Sequence, residues 1–252
     1  MNKLGLIGKK LGHSFSPDFF SKKFKDLGIT SKFQYSALEF ESWSEASKFI
    51  LSSNYLGFNV TFPYKKDALN ICDYLDYWAM KVSAVNTLCI KKDGKIWGYN
   101  TDAPGFLQTI NDRGIQVKKA LILGTGGAAF AVKSALDHME VEAYFVSRSK
   151  QRGDYSYDQL CDDNSIMGET DLIINCTPLG THPQIYQCPP IPYEQLNSNQ
   201  ILYDLVYNPA ESVFLSRGMN VGCKTFNGYE MLRTQAEFSW RIWLDSDTNE
   251  NI

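Results

Sequence analysis

The sequence predicts an α/β protein of two domains, an N-terminal one built on a mixed sheet and a second on a doubly wound parallel sheet, with a C-terminal helix returning to the first. Three observations predict it. Short strand-like runs alternate with helical patterns through the first hundred or so residues. The turn Asp93-Gly94 sits between two such runs and demands an antiparallel pair. From Lys119 onward the β-α-β spacing becomes regular around a Gly-rich turn. At 252 residues, 44% of them hydrophobic, the chain has the length and apolar content for such a pair of cores. The expected limits are residues 1–102 with 227–252 for the first domain and 103–226 for the second.

Lys3 to Gly8 reads as strand, Pro17 to Leu27 as helix, Phe33 to Leu38 as strand and Ser42 to Leu51 as helix. Leu56 to Phe62 mixes β-branched and aromatic residues; Pro63 removes a ladder donor and ends the strand, and Tyr64 to Ile71 can continue as helix. Lys65 then stands at a strand-to-helix corner, where sheet-based sites form, although a lysine there is also compatible with a solvated surface. Val85 to Lys91 and Lys95 to Tyr99 flank the hairpin turn, and Ala103 to Asp112 is a helix with Pro104 in its first turn and Gly114 as its stop. Next come a buried strand, Lys119 to Gly124, a helix, Ala128 to His138, and a strand, Glu142 to Ser147. Strands at Asp171 to Thr177, Ile201 to Val206 and Lys224 to Phe226, with a helix over Ser212 to Arg217, extend the parallel sheet. Few helix formers near Gly153 predict a lean crossover between Arg148 and Asp171. Met231, Leu232, Phe238, Trp240 and Trp243 predict the final helix, followed by a frayed polar tail from Asp245 to Ile252.

Composition narrows the function. A net charge of -3 and a pI near 5.7, with no basic run, argue against nucleic acid or an anionic membrane as partner and for small molecules. The chain is expected to be a monomer or homodimer, a choice that its sequence does not decide. The six cysteines are scattered without a Cys-x-x-Cys pair, which predicts reduced thiols and no metal site. The apolar run at the N-terminus is too short for a signal peptide, and no stretch has the length of a membrane span, so a soluble, cytoplasmic protein is expected.

Gly124-Thr125-Gly126-Gly127-Ala128-Ala129 follows a strand and opens a helix, which aims backbone N–H groups and the helix dipole at a pyrophosphate. A Rossmann-like dinucleotide site is therefore expected, with Gly124, Gly126, Gly127 and Ala128 as its cradle. An NAD site places Asp or Glu at the end of the next strand, whereas this chain has Ser147-Arg148-Ser149-Lys150-Gln151-Arg152. No carboxylate would repel a 2′-phosphate. Ser147, Arg148, Ser149 and Arg152 make NADP(H) the expected cofactor, the other reading being a solvated basic loop.

Other motifs read two ways when taken singly. Ser16, before Pro17 and Asp18, suits a helix N-cap, and Asp102 could cap the helix that holds Pro104. Taken together, His13-Ser14-Phe15-Ser16-Pro17, Asn59-Val60-Thr61-Phe62-Pro63-Tyr64-Lys65, Ala84-Val85-Asn86-Thr87, Asn100-Thr101-Asp102, the Gly124 to Ala128 run, Asn175 to Gly180, Tyr203 to Tyr207 and Gly228 to Ala236 resemble the shikimate dehydrogenases over nearly the whole chain. The resemblance implies reversible, NADP-dependent reduction of 3-dehydroshikimate to shikimate, in chorismate and aromatic amino-acid biosynthesis. It implies that Ser14 and Ser16 bind the substrate carboxylate, that Thr61, Asn86, Thr101, Tyr207 and Gln235 complete the substrate site, and that Lys65 and Asp102 are catalytic. Thr177, Leu205, Gly228 and Met231 would border the nicotinamide. Lys9-Lys10-Leu11-Gly12, Tyr99 and the lack of a further C-terminal helix depart from the family pattern. Competing readings are a quinate/shikimate paralogue with relaxed cofactor use, a methyltransferase and a non-enzymatic NADP-binding module. The missing carboxylate after the second strand disfavours the first two.

Overall fold

In the computed structural model, which describes residues 1–12 and 14–245, the chain divides into two units, Met1–Pro104 with Gln235–Ile252 and Gly105–Thr234. The polar tail read as frayed lies, from residue 246 on, outside the described residues.

The first unit holds β1 (Asn2–Gly8), α1 (Phe15–Asp26), β2 (Phe33–Glu39), α2 (Trp43–Ser52), β3 (Gly57–Val60), β4 (Tyr74–Leu75), α3 (Tyr77–Val82), β5 (Thr87–Ile90) and β6 (Ile96–Tyr99). Its sheet runs β2-β1-β3-β5-β6-β4, with β5 antiparallel to both β3 and β6 and the remaining pairs parallel. Both faces are covered. Ala46 and Ile50 of α2 pack with Phe58, Val60 and Leu88, whereas Phe20 and Phe24 of α1 pack with Leu4, Cys89, Trp240 and Trp243. Phe20 and Phe24 lie one turn apart, which gives α1 a single apolar stripe, and Phe20 stacks on Tyr35 at 4.4 Å.

Two local expectations need correction. α1 begins at Phe15, after Ser14, so Ser16 lies inside its first turn and is not the N-cap. After Pro63 the chain forms turns and then a 3-10 segment, Asp67–Ile71, instead of an α-helix. The reason is that the Lys65 carbonyl accepts the Val85 N–H (2.8 Å), so Leu69 N–H bonds the Lys66 carbonyl and the helical register is lost.

The second unit contains most of α4 (Asp102–Asp112), then β7 (Lys119–Leu123), α5 (Gly127–His138), β8 (Glu142–Ser147), β9 (Tyr155–Ser156), α6 (Tyr157–Asp162), α7 (Asn164–Gly168), β10 (Leu172–Asn175), β11 (Ile201–Asp204), α8 (Val213–Met219), β12 (Lys224–Asn227) and the start of α9 (Tyr229–Leu244). Its sheet is parallel throughout, in the order β12-β11-β10-β7-β8-β9. Alternate residues of β7 serve opposite faces: Ala120 and Ile122 meet Phe106 and Val132, while Leu121 and Leu123 meet Leu160 and Phe214. The chain order reverses between β7 and β10, the switch point at which doubly wound sheets bind ligands. The crossover after β8 is fuller than expected: it adds β9 as an edge strand and two short helices, α6 opening on a Ser156/Gln159 capping box.

One buried charge ties this second sheet together. The Asp204 carboxylate, fully buried, accepts from Asn175 Nδ2 (2.9 Å), the Val206 N–H (2.9 Å) and Ser212 Oγ (2.5 Å). Burial pushes its pKa up to about 6, with those three hydrogen bonds opposing. The Cys176 thiol and the Tyr193 phenol, which feel its charge, are themselves pushed up by burial and stay neutral, and Arg217 lies 4.5 Å over the Tyr193 ring.

Two outcomes follow from this packing. A Cβ on Gly57 would come within 2.3 Å of Trp243 Nε1 and 2.4 Å of the Leu88 carbonyl, the pair joined by a 2.9 Å hydrogen bond that fastens α9 to the first sheet. Gly57→Ala is expected to destabilise the protein by roughly 3 kcal/mol in urea melts, the sum of overpacking and a lost buried hydrogen bond. For Asp204 the folded pKa is raised, so its stabilising contribution is full below the unfolded value near 4 and is lost as pH rises through about 6. Between about pH 4 and 7, Asp204→Asn should therefore gain on the wild type by on the order of 3 kcal/mol in urea midpoints across pH, and parallel curves would refute the shift.

Candidate active site

The first unit places a connected polar network at the C-terminal end of β3 and the facing ends of β5 and β6. Asn100 builds the corner. Its Oδ1 accepts the N–H groups of Asp102 and Ala103 (3.1 and 3.2 Å), and its Nδ2 donates to the Ala84 carbonyl (2.9 Å). Asn100 therefore caps α4, and the capping role considered for Asp102 falls to it. The Asp102 carboxylate is left to face inward, where Oδ2 meets Lys65 Nζ at 2.6 Å and Oδ1 accepts from Asn86 Nδ2 at 2.9 Å. The Lys65 and Asp102 side chains keep 25% and 13% of their exposure, enough for a ligand to reach a pair otherwise largely removed from water.

Asn86 is the hub. Its Nδ2 also donates to Thr101 Oγ1 (2.9 Å), and its Oδ1 accepts the Thr101 N–H (2.8 Å). Thr101 Oγ1 in turn reaches Gln235 Oε1 (3.3 Å) and Ser239 Oγ (3.4 Å) on α9. Lys65, Asp102, Asn86, Thr101 and Gln235, singled out from the sequence, are thus brought into one bonded cluster.

Behind it lies a layer that sequence reasoning missed. Asn59 Nδ2 donates to Ser239 Oγ (2.9 Å) and Thr87 Oγ1 (3.1 Å), and Asn59 Oδ1 accepts from the Tyr35 hydroxyl (2.8 Å). Burial raises the Tyr35 phenol above its ordinary range and keeps it a donor, with the nearby Ser16 side chain opposing the shift. Hydrogen bonds therefore run without a break from Tyr35 to Lys65. The available signal is Asn59, a polar residue in an otherwise apolar central strand, and Ser239, one turn beyond Gln235 on the same helix face.

The remaining residues assigned to the substrate are placed less tightly. Ser14 is half-buried beside its Leu11-bonded backbone, without a side-chain cap bond. Thr61 bonds Ile7 through its backbone and turns its methyl toward Gly8. Tyr207, in the second unit, is half-buried just beyond β11, and burial raises its phenol.

The second unit offers a site made of backbone. Gly124 has φ +106°, and nothing lies within 4 Å of where a Cβ on Gly126 or Gly127 would stand. Both are exposed at the start of α5, the positive end of a twelve-residue helix whose first-turn N–H groups lack intrahelical partners. Ala128 follows in that turn and Ala129 is buried in the core. After β8, Ser147 Oγ donates to the Ser149 carbonyl and accepts the Ser149 N–H, curling the loop back on itself. Arg148 and Arg152 are exposed, and among the described residues neither is in an ion pair. Such a loop fits a phosphomonoester. Thr177 is anchored by its N–H and hydroxyl to Asn175 Oδ1 (3.0 and 2.6 Å), Met231 is largely core, and a side chain on Gly228 would strike the Leu205 carbonyl at 2.2 Å. Among the described residues no cluster of His, Cys, Asp and Glu could hold a metal ion, and no helix is long and apolar enough to cross a membrane.

Comparison with known proteins bears on these sites. Residues 6–88 match the model of the shikimate dehydrogenase substrate binding domain. A shikimate dehydrogenase (NADP(+)) of Clostridium beijerinckii is 36% identical over 261 aligned positions, covering 100% of this chain and 95% of the relative. Among solved structures, the chorismate mutase/shikimate 5-dehydrogenase fusion protein of Clostridium acetobutylicum is 35% identical, with a TM-score of 0.85 over 97% of this chain and 91% of that one. Shikimate 5-dehydrogenase of Thermus thermophilus, solved with NADP(H) and shikimate, is 30% identical, with a TM-score of 0.84 over 96% of this chain and 93% of that one. Agreement in sequence and in backbone runs through both units, and this chain belongs to the shikimate dehydrogenase family.

Proposed function

We infer that this chain is an NADP-dependent shikimate dehydrogenase, an oxidoreductase that reversibly reduces 3-dehydroshikimate to shikimate. The observation that carries the reading is the Lys65–Asp102 pair, 2.6 Å apart and braced by Asn86, in a chain 36% identical over its length to a shikimate dehydrogenase (NADP(+)). The substrate-binding and catalytic domain comprises residues 1–102 with 227–252, and residues 103–226 form the dinucleotide domain. A cytoplasmic location suits the role, since the six cysteines form no disulfide and stay reduced there, and the chain acts as a monomer or homodimer.

NADPH supplies a hydride to the ketone when bound. The chain's own residues manage the charge that results. As the carbonyl oxygen becomes an alkoxide, the Lys65 ammonium stabilises it and delivers a proton from Nζ; in the oxidation direction Lys65 takes that proton back. Asp102 Oδ2 aims the ammonium, and Asn86, by holding Oδ1, keeps the carboxylate from rotating away. Ser14 and Ser16 bind the substrate carboxylate, while Thr61, Asn86, Thr101, Tyr207 and Gln235 hold its ring hydroxyls. Gly124, Gly126, Gly127 and Ala128 cradle the pyrophosphate at the start of α5. Ser147, Arg148, Ser149 and Arg152 take the 2′-phosphate, and Thr177, Leu205, Gly228 and Met231 line the nicotinamide.

The direct test is shikimate-dependent reduction of NADP+ by the purified chain, followed by absorbance of the reduced nicotinamide. Activity is expected with NADP+ and much less with NAD+; a folded protein that reduces neither would defeat the reading. Lys65→Ala should lower kcat by roughly 10²-fold or more while leaving NADP+ affinity within about twofold, and near-normal turnover would remove Lys65 from the chemical step.

A further inference from the structure

Asp204 takes no part in the chemistry above, yet it is a fully buried carboxylate held by three neutral donors, with no cation paired to it among the described residues. A burial of that kind opposes folding unless the group organises something. We propose that Asp204 is a positioning residue: through Asn175 on one side and the Val206 N–H on the other it sets the two strand ends that carry Thr177 and Leu205 against the nicotinamide. The inference rests on the dinucleotide role assigned to those two residues.

The geometry is a relay of short steps. Asp204 Oδ1 accepts from Asn175 Nδ2 (2.9 Å), which also donates to the Leu179 carbonyl (3.2 Å) and so closes the loop after β10. With its amide nitrogen held on that side, Asn175 must present Oδ1 on the other, where it accepts both the N–H (3.0 Å) and the hydroxyl (2.6 Å) of Thr177. Reversal of the Asn175 amide would place an N–H₂ against two donors and a carbonyl against the carboxylate. Asp204 thus dictates which way Asn175 faces, and Asn175 dictates where Thr177 stands. The second arm is the Val206 N–H, taken by the same oxygen (2.9 Å), which fixes the peptide that follows Leu205. Leu205 N–H returns to the Asn175 carbonyl (2.9 Å), which ties the two strand ends to each other, and Gly228 packs tightly over the Leu205 carbonyl. Thr177 then lies against the Gly-rich turn, its methyl 3.1 Å from where a Cβ on Gly124 would be. Ser212, on the other carboxylate oxygen, already caps α8 by accepting the Leu215 N–H (3.3 Å), so capping alone does not require an acid at position 204.

Bound NADPH reports the position of its own ring, because the fluorescence lifetime of the reduced nicotinamide lengthens when the ring is immobilised. Wild-type binding and turnover are measured first; their absence would count against the functional reading and not against the role of Asp204. In Asp204→Ala the lifetime of bound NADPH is expected to fall toward that of the free dinucleotide, and kcat to fall about 10- to 100-fold, as for a reacting group displaced by about 1 Å. The dissociation constant for NADPH should change less than about threefold, because the pyrophosphate and 2′-phosphate contacts are elsewhere. Asp204→Asn, which retains an oxygen for Asn175 and Val206 and can donate to Ser212, is expected to restore lifetime and kcat together. If Asp204→Ala does not fold, Asn175→Ser, which cuts the link to Thr177 but leaves Val206 and Ser212 on the carboxylate, carries the same expectation. A wild-type lifetime in a folded variant, a loss of affinity that accounts for the whole loss of kcat, or failure of Asp204→Asn to restore either quantity would overturn the proposal.

Discussion

The first unit's site depends on one charge pair, Lys65 with Asp102, and on the fact that neither member is left to arrange itself. Largely dehydrated ions are costly to bring together unless geometry and further hydrogen bonds compensate. Here Asn100 removes the competing helix-cap position for Asp102, Asn86 occupies the second carboxylate oxygen, and the Lys65 backbone is bound to Val85 instead of starting a helix. That last bond has two effects. It breaks the helix that the sequence favours after Pro63, and it thereby avoids placing a lysine in the first turn of an α-helix, where the macrodipole would oppose its charge.

The two units meet their functional demands by opposite means. In the first, the proposed site is built of side chains, and Asn86 and Thr101 are held by further polar side chains: Asn59, Thr87 and Ser239 lie under them and satisfy one another. A network of that kind fixes rotamers, which is what proton transfer over a short distance requires. In the second, the proposed site is built of backbone, and the requirement is the absence of side chains. Gly126 and Gly127 leave the start of α5 bare, and Gly228 permits a close crossing over Leu205. Pyrophosphate is a large, symmetric anion that a row of N–H groups can follow, whereas a hydroxylated ring needs donors and acceptors at particular points.

What can be read from the sequence follows the same division. The Gly-rich turn is legible because its meaning is local: a strand, three glycines and a helix start are contiguous. The Lys65–Asp102 pair is reached only through resemblance, since thirty-seven positions separate its members and nothing in their spacing brings them together. The underlying layer is harder still to read. Tyr35, Asn59, Thr87 and Ser239 come from four separate elements, and although Asn59 stands out in its apolar strand, nothing in the spacing joins it to the others. Ser16 and Asp102 show how local chemistry misleads: both suit helix caps, yet the chain begins one helix two residues earlier and gives the other cap to Asn100. The crossover after β8 is underestimated from sequence because its helices are only one to two turns long, too short for periodicity to emerge.

Asp102 and Asp204 together show why a carboxylate is chosen over an amide at two such different places. A carboxylate only accepts, so every neighbour must point a donor at it, and an arrangement that offers an acceptor instead is strongly disfavoured. At Asp102 the donors are an ammonium and an amide, and the result is a cation aimed in one direction. At Asp204 they are neutral, and the result is a fixed relation between β10, β11 and the start of α8. An asparagine at position 102 would turn an N–H2 toward either the Lys65 ammonium or the Asn86 amide, whereas at position 204 it could keep its oxygen on Asn175 and Val206 and give its N–H2 to Ser212. The acid at 204 therefore sets the same orientation at the expense of desolvation, visible in its raised pKa.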